Sequence, residues 1–174
     1  MEPQKLSTRG DPRAGLPYDE LVVLTGQNDH KLELSLLGYE FPTIDDDEWD
    51  SNWLNIRISA TNDQGSWAAT DASLLTEEVG RLAEWLQAIA ENNEADAELD
   101  FIEPNLAFEL VEANGLVRLR AWFELELRPR WAPTDEVPAR DLCVDLELAR
   151  DDLGKAADSL RAQLRRFPPR ALEG

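Results

Sequence analysis

The chain has 174 residues, of which 43% are hydrophobic, and carries 36 acidic against 17 basic side chains, for a formal net charge of −19. This length fits one domain, and the apolar fraction suffices for a core, which argues against disorder of the whole chain. A surface this acidic repels nucleic acids and anionic membranes and attracts a cationic protein, although excess acid can also serve solubility alone.

The first half of the chain predicts a flexible tail, four strands and a helix. Residues 1–17 are rich in proline and glycine and lack periodicity, whereas residues 18–167 form a single predicted domain. A helix is expected after Thr76, a good cap, with an apolar stripe of Val79, Leu82, Trp85, Leu86 and Ile89. Before it, apolar and polar residues alternate as in half-buried strands at 20–25, 31–37, 52–60 and 66–70.

The second half predicts four more strands and a second helix. Asn114-Gly115 indicates a hairpin with a type I′ turn. Asp151 or Asp152 is expected to cap the final helix, which Pro168-Pro169 end, leaving 168–174 as a C-terminal tail. Its buried stripe is Leu153, Ala157, Leu160 and Leu164. Alternation predicts strands at 97–101, 106–110, 117–127 and 142–148, the last after a proline-bearing loop over 129–138.

Strands with one apolar face suit an antiparallel sheet that is covered on one side, and two amphipathic helices can supply the cover. We therefore expect an α+β fold, with a curved, mainly antiparallel sheet of about eight strands and two helices packed on one face. The alternation pattern does not determine the order of the strands.

Cysteine content and the N-terminal sequence favour the cytoplasm. Cys143 is the only cysteine, so no disulfide can form within the chain, and a reducing compartment suits such a protein. Residues 1–16 lack the apolar centre of a secretory signal, and no stretch reaches the roughly 20 apolar residues of a membrane span. We expect a soluble cytoplasmic protein.

Side chains that commonly carry catalysis are scarce. His30 is the only histidine and is interpreted as a surface turn residue, while Cys143 is interpreted as small, half-buried filler in a strand. The sequence lacks a Gly-x-Ser-x-Gly elbow, a glycine-rich phosphate loop and enough histidine and cysteine for a zinc site. Carboxylates are so abundant that no glycosidase pair can be singled out. We expect no enzymatic activity, no cofactor and no metal.

Two features favour a surface that binds a partner. Trp53 and Trp122 alternate with apolar residues that face the core, which predicts that both face solvent, where tryptophan often anchors interfaces. The alternative is that a second small core covers them. The densest acidic cluster lacks the glycine of a calcium-binding EF-hand loop, which leaves a solvated loop or a docking surface for a basic protein. It consists of Asp45, Asp46, Asp47, Glu48, Trp49 and Asp50.

The segment Trp49-Asp50-Ser51-Asn52-Trp53-Leu54 resembles the W-D-x-N-W-L signature of the wall-associated-protein (WapI) type immunity proteins of bacteria. Residues 71–76, 101–106 and 144–167 follow that family in the same order, so the resemblance covers about residues 18–167. It implies a small cytoplasmic protein that binds and neutralises the C-terminal domain of a contact-delivered toxin, often a nuclease. The implied mechanism is occlusion, with carboxylates where phosphates would bind. Asp50 and Asn52 can equally have a structural role.

Two other functions stay open at this point. The first is a hydrolase or lyase for a small molecule, with carboxylates buried between sheet and helices, which would show a deep pocket with convergent polar groups. The second is a structural or assembly protein, for example a homodimer, that uses the same tryptophans as its interface. For the immunity function, the expected partner is a cationic toxin domain and the expected contacts are the cluster 45–50, Trp53 and Trp122.

Overall fold

The computed structural model describes residues 21–133 and 140–171, and these contain eight strands and two α-helices. The predicted tail at 1–17 and residues 134–138 of the predicted proline-bearing loop lie outside the described residues. In chain order the elements are β1 (Val22–Thr25), β2 (Lys31–Tyr39), β3 (Trp53–Asn62), β4 (Gly65–Leu75), α1 (Thr76–Ala90), β5 (Glu98–Asp100), β6 (Leu106–Glu112), β7 (Val117–Phe123), β8 (Cys143–Leu148) and α2 (Arg150–Leu164).

The strands form two four-stranded antiparallel sheets, in the orders β1-β2-β3-β4 and β5-β6-β7-β8. Each strand pairs with its neighbour along the chain, so both sheets are meanders. The predicted α+β class and the antiparallel strands are confirmed. The strands divide into two sheets, and α1, which begins directly after Leu75 at the end of β4, lies between the two meanders along the chain.

The free edge of β8 is covered by turns of the first sheet. An exposed sheet edge offers unpaired backbone groups, which proteins usually cover or pair. Here the carbonyl oxygens of three alternate β8 residues accept hydrogen bonds from the β1–β2 and β3–β4 turns, which joins the sheets. The bonds, each of 2.9 Å, run from Asn62 Nδ2 to Cys143, from Asn28 Nδ2 to Asp145 and from the Gln27 amide to Glu147.

The two helices pack on each other and bury the predicted stripes. All five stripe residues of α1 are buried, and so are Leu153, Ala157 and Leu160 of α2, with Leu164 partly buried. Thr76 is the first residue of α1 and not its cap. The cap position is Leu75, whose amide donates to the Glu78 carboxylate at 3.0 Å, and Asp152 accepts the Ala149 amide at 3.3 Å in the same way before α2.

Two local details differ from the sequence prediction. The strand predicted over 117–127 ends at Phe123, because Leu125 has a φ of 49° and begins a 3₁₀ turn, Leu125–Leu127. Leu127 is nevertheless fully buried. The hairpin between β6 and β7 exists, but only Gly115 has a positive φ, of 93°, so its turn is not type I′. No helix in the described part of the chain is long and apolar enough to cross a membrane.

Candidate functional site

The acidic cluster at 45–50 forms an exposed loop between β2 and β3. Its six residues are all exposed, and Trp49 shows 56% of its surface to solvent. The Asp47 carboxylate accepts the amides of Trp49 at 2.9 Å and Asp50 at 2.7 Å, which caps a 3₁₀ turn, Asp50–Asn52. The structure therefore brings the predicted loop residues together on one ordered surface element, which we call the acidic loop.

Asn52 ties the acidic loop to two distant parts of the chain. It is buried, with 6% exposure, and its Nδ2 donates to the carbonyls of Glu48 at 2.7 Å and Arg170 at 2.8 Å. Its Oδ1 accepts from the Arg170 amide at 2.8 Å and from the Thr76 hydroxyl at 3.0 Å. The side-chain amide thus uses its full hydrogen-bonding capacity. Asn52, a residue of the W-D-x-N-W-L motif, therefore holds the acidic loop in place, and its side chain has no capacity left to bond a partner.

The C-terminal segment braces the same loop from the other side. The Arg170 guanidinium lies 3.5 Å from the centre of the Tyr39 ring, and its Nη1 donates to the carbonyls of Pro42 and Ile44, both at 3.1 Å. The Tyr39 hydroxyl in turn donates to the Pro168 carbonyl. These contacts fix the backbone on which the carboxylates stand, so a partner meets a preformed surface.

A small pocket lies between the acidic loop and the start of α1. Its volume is about 240 Å³, and one wall is the exposed Trp49. The floor and sides come from the loop, the first turn of the helix and the C-terminal segment, which places the pocket within the surface described above. The lining residues are Glu48, Trp49, Asn52, Leu75, Thr76, Glu77 and Pro169.

Further carboxylates add to the negative potential near the loop. Partial burial raises the pKa of Glu40, and the charges of Asp71, Asp50 and Glu103 raise it further. Burial also raises the pKa of Asp71, with a smaller contribution from Glu126. These acids come from separate segments of the chain, so their proximity was not visible in the sequence. The combined field favours a cationic partner over an anionic one.

Trp53 and Trp122 lie on different sheets. Trp53 is half-buried at the start of β3, next to the acidic loop, and pairs with Leu75 of β4. Trp122 is half-buried on β7 of the second sheet. Its indole donates to Glu109 at 3.3 Å, while the guanidinium groups of Arg120 and Arg140 lie 5.4 and 5.9 Å from its ring. Of the three tryptophans expected to contact a partner, Trp49 in the acidic loop is exposed, whereas Trp53 and Trp122 are half-buried.

His30 and Cys143 both contribute to the join between the sheets. His30 lies in a turn, as expected, but its side chain is only 14% exposed. Its Nδ1 is 2.8 Å from the Asp145 carbonyl and its Nε2 is 2.9 Å from Asp63 Oδ1. The bond to Asp63 is the main cause of a raised pKa. Cys143 is half-buried, and burial raises the pKa of its thiol, which opposes a nucleophilic role.

A second concave region lies between α1 and β5. This groove has a volume of about 540 Å³ and is open to solvent. Across residues 21–133 and 140–171, no group of three or more histidine, cysteine, aspartate or glutamate side chains is arranged to hold a metal ion. The groove lining includes Arg81 and five acids: Glu84, Glu94, Asp96, Glu98 and Asp100.

Comparison with known families identifies the chain over most of its length. The sequence model of the WapI-like immunity protein family matches residues 23–168. The match includes both sheets, both helices and the acidic loop, and it confirms the resemblance carried by residues 49–54. No curated protein sequence matches the chain.

Proposed function

The chain belongs to the WapI-like immunity protein family, and we propose that it binds and neutralises the C-terminal toxin domain of a contact-delivered bacterial toxin. The toxin domain is a cationic protein, a basic nuclease, because a nuclease needs a positive face to hold phosphates. The immunity protein acts in the cytoplasm, by covering that face, without catalysis and without a cofactor. Its carboxylates occupy the positions that phosphates would take.

The observation that carries this proposal is the braced acidic loop. Five carboxylates and one exposed tryptophan stand on a segment whose backbone is held by Asn52, Asp47 and Arg170. A preformed surface loses little conformational entropy on binding, and complementary charge raises the association rate. The net charge of −19 extends the same attraction over the whole molecule.

We assign the tryptophans different positions in the interface. Trp49 lies in the acidic loop and Trp53 lies next to it, and together they form the aromatic part of the main contact. Trp122 lies on the second sheet between Arg120 and Arg140, so it would form a separate contact with a toxin large enough to reach both sheets. Tryptophan is enriched among the residues that dominate binding energy, and the carboxylates around it supply charge complementarity to a cationic partner.

Where a large secreted protein is encoded directly upstream, the test is binding of its C-terminal toxin domain, measured by co-purification and then by kinetics. The variant replaces four loop acids and keeps Asp47, which caps the 3₁₀ turn. We expect its dissociation constant to rise roughly 10- to 100-fold, mainly through slower association, since exposed charges act on the encounter rate. The substitutions are Asp45→Asn, Asp46→Asn, Glu48→Gln and Asp50→Asn.

A matched control removes the same number of charges from the groove between α1 and β5, at exposed positions. We expect this variant to bind nearly as tightly as the unaltered protein. Equal binding by the loop variant and the control would show that the surface is wrong although the function stands. Failure of the unaltered protein to bind the toxin domain would contradict the function itself. The control substitutions are Glu84→Gln, Glu94→Gln, Asp96→Asn and Glu98→Gln.

A further inference from the structure

We propose that the pocket beside the acidic loop receives one arginine side chain of the toxin domain. The inference rests on the proposed function and adds a defined contact to it. The pocket volume of about 240 Å³ is below the roughly 300 Å³ at which sites for cofactors and drug-sized ligands begin. A single long side chain fits a space of this size, which suits contact with a protein partner.

The walls of the pocket suit the stem and plane of arginine. Trp49 is 56% exposed, and Leu75 and Pro169 add apolar surface. Arginine packs its methylene stem along apolar surface, and its planar guanidinium stacks on indole rings more often than the lysine ammonium does. An exposed tryptophan that lines a pocket is also the type of residue on which binding energy concentrates.

Two carboxylates line the pocket and remain available to a ligand. Within residues 21–133 and 140–171, neither Glu48 nor Glu77 makes a side-chain hydrogen bond or an ion pair, and both are exposed. The other polar side chains of the lining are engaged, because the Thr76 hydroxyl donates to Asn52 and Asn52 has no capacity left. A guanidinium has five donors and can bond two carboxylates while it stacks.

The start of α1 lies at the pocket, and a helix N-terminus alone would favour an anion. Two features reverse that preference here. Glu78, in the first turn, reaches back and accepts the Leu75 amide at 3.0 Å, so a carboxylate of the protein already lies at this end of the helix. Glu77 adds a second negative charge in the first turn, and Glu48 a third across the pocket. The local charge therefore selects a cation.

The backbone segments that form the pocket are held together before the partner arrives. Asn52 connects the Glu48 backbone to Thr76 and to Arg170, which are contributed by α1 and the C-terminal segment. The pocket is lined by these three parts of the chain and by Leu75 at the end of β4. A preorganised site of this kind gives specificity for a side chain of one shape and charge, and not only attraction to a basic surface.

The first experiment measures the complex with the upstream-encoded toxin domain. We expect Trp49→Ala to raise the dissociation constant about 30-fold, as for a tryptophan at an interface centre, and Trp49→Phe to retain part of the affinity. The double variant Glu48→Gln with Glu77→Gln should weaken binding about tenfold or more. The control is Ile102→Ala, another large apolar residue, with 57% exposure, outside the pocket. It should bind like the unaltered protein.

The second experiment does not depend on the toxin. The capped peptide acetyl-Gly-Arg-Gly-amide is titrated while the Trp49 indole N–H is followed by NMR, because six tryptophans would overlap in fluorescence. We expect a saturable shift at millimolar concentration that the Glu48→Gln, Glu77→Gln variant loses. The matched peptide with citrulline, which has the same shape without the charge, should leave the signal unchanged.

The two experiments separate failure of the pocket from failure of the function. Pocket variants that remain folded and bind the toxin domain as tightly as Ile102→Ala would overturn the arginine contact and leave the function standing. If the toxin domain does not bind the unaltered protein, the proposed immunity function is overturned. The peptide titration would then test the arginine pocket by itself. Equal responses to the arginine and citrulline peptides would overturn the pocket.

Discussion

His30 connects the two sheets through one ring nitrogen and bonds within the first sheet through the other. One faces a backbone carbonyl of β8, and the other faces the exposed carboxylate of Asp63. Both of these partners are acceptors, so a proton on each ring nitrogen satisfies them, while Nδ1 also lies 3.2 Å from Asn28 Nδ2, which is a donor. The charged imidazolium is therefore the form that the folded protein stabilises, in agreement with the raised pKa.

We expect stability to fall as pH rises above 6.5 because of His30. The folded-state pKa lies above the ordinary value of 6.5, so the stabilising contribution is complete below pH 6.5. It is lost as pH rises through the folded-state pKa. Urea unfolding midpoints between pH 5.5 and 8.5 should show this step, and His30→Gln should remove it. Asp63→Asn should reduce it, and an unchanged step in both variants would contradict the assignment.

The sequence carried only part of the residue-scale information about the site. The acidic loop was visible because its carboxylates are consecutive, and Trp49 stands among them. The structural role of Asn52 could not be predicted from the sequence, because its hydrogen-bond partner Arg170 lies 118 residues away along the chain. A motif identifies which residues matter, but the contacts that fix them depend on how distant segments meet, and no local pattern records that.

At the scale of elements, Gln163 shows how α2 completes a sheet edge. Strand β1 pairs with β2 only as far as Leu34, so among residues 21–133 and 140–171 no strand lies beside the rest of β2 on that side. The fully buried Gln163 takes that place. Its Oε1 accepts the Leu36 amide at 2.6 Å and its Nε2 donates to the Leu34 carbonyl at 3.4 Å. Buried backbone groups thereby keep their partners.

Replacing this glutamine should destabilise the fold. In Gln163→Met the side chain keeps its approximate volume, but the buried Leu36 amide loses its acceptor, which costs about 1–3 kcal/mol. Urea denaturation would measure this loss in the free energy of unfolding. The control is Lys155→Ala on the exposed face of α2, expected within about 0.5 kcal/mol of the unaltered protein. Similar values for both variants would show that α2 docks by apolar packing alone.

Local periodicity predicted the elements better than their arrangement. The helical stripes of α1 and α2 and the alternation in β3 and β7 correspond to buried faces, because burial repeats with the geometry of each element. The early end of β7 was missed because Leu125 adopts a positive φ that leucine rarely takes, while Leu127 still reaches the core. The division into two sheets was missed because alternation does not name a strand's neighbours.

At the scale of the whole molecule, one charge distribution has two opposite effects. A net charge of −19 draws a cationic partner from a distance, but it also repels itself within the compact state. The ion pairs on the second sheet, such as Arg120 Nε to Asp145 at 2.6 Å, offset this only locally. Salt screens both the attraction and the repulsion, with a Debye length of about 10 Å at 0.1 M.

Raising the salt concentration should therefore stabilise the free protein and weaken the complex. Between 20 and 500 mM NaCl we expect Tm to rise by about 2–4 °C for each kcal/mol of repulsion relieved. Affinity for the toxin domain should fall about tenfold or more over the same range. The loop variant with four acids neutralised, whose net charge changes from −19 to −15, separates the two effects. Its Tm should respond to salt almost as before, because the charge that repels is spread over the molecule. Its affinity should fall less with salt than that of the unaltered protein, because four of the charges that meet the partner directly are removed. An equal dependence of the dissociation constant on salt in both proteins would place the contact elsewhere.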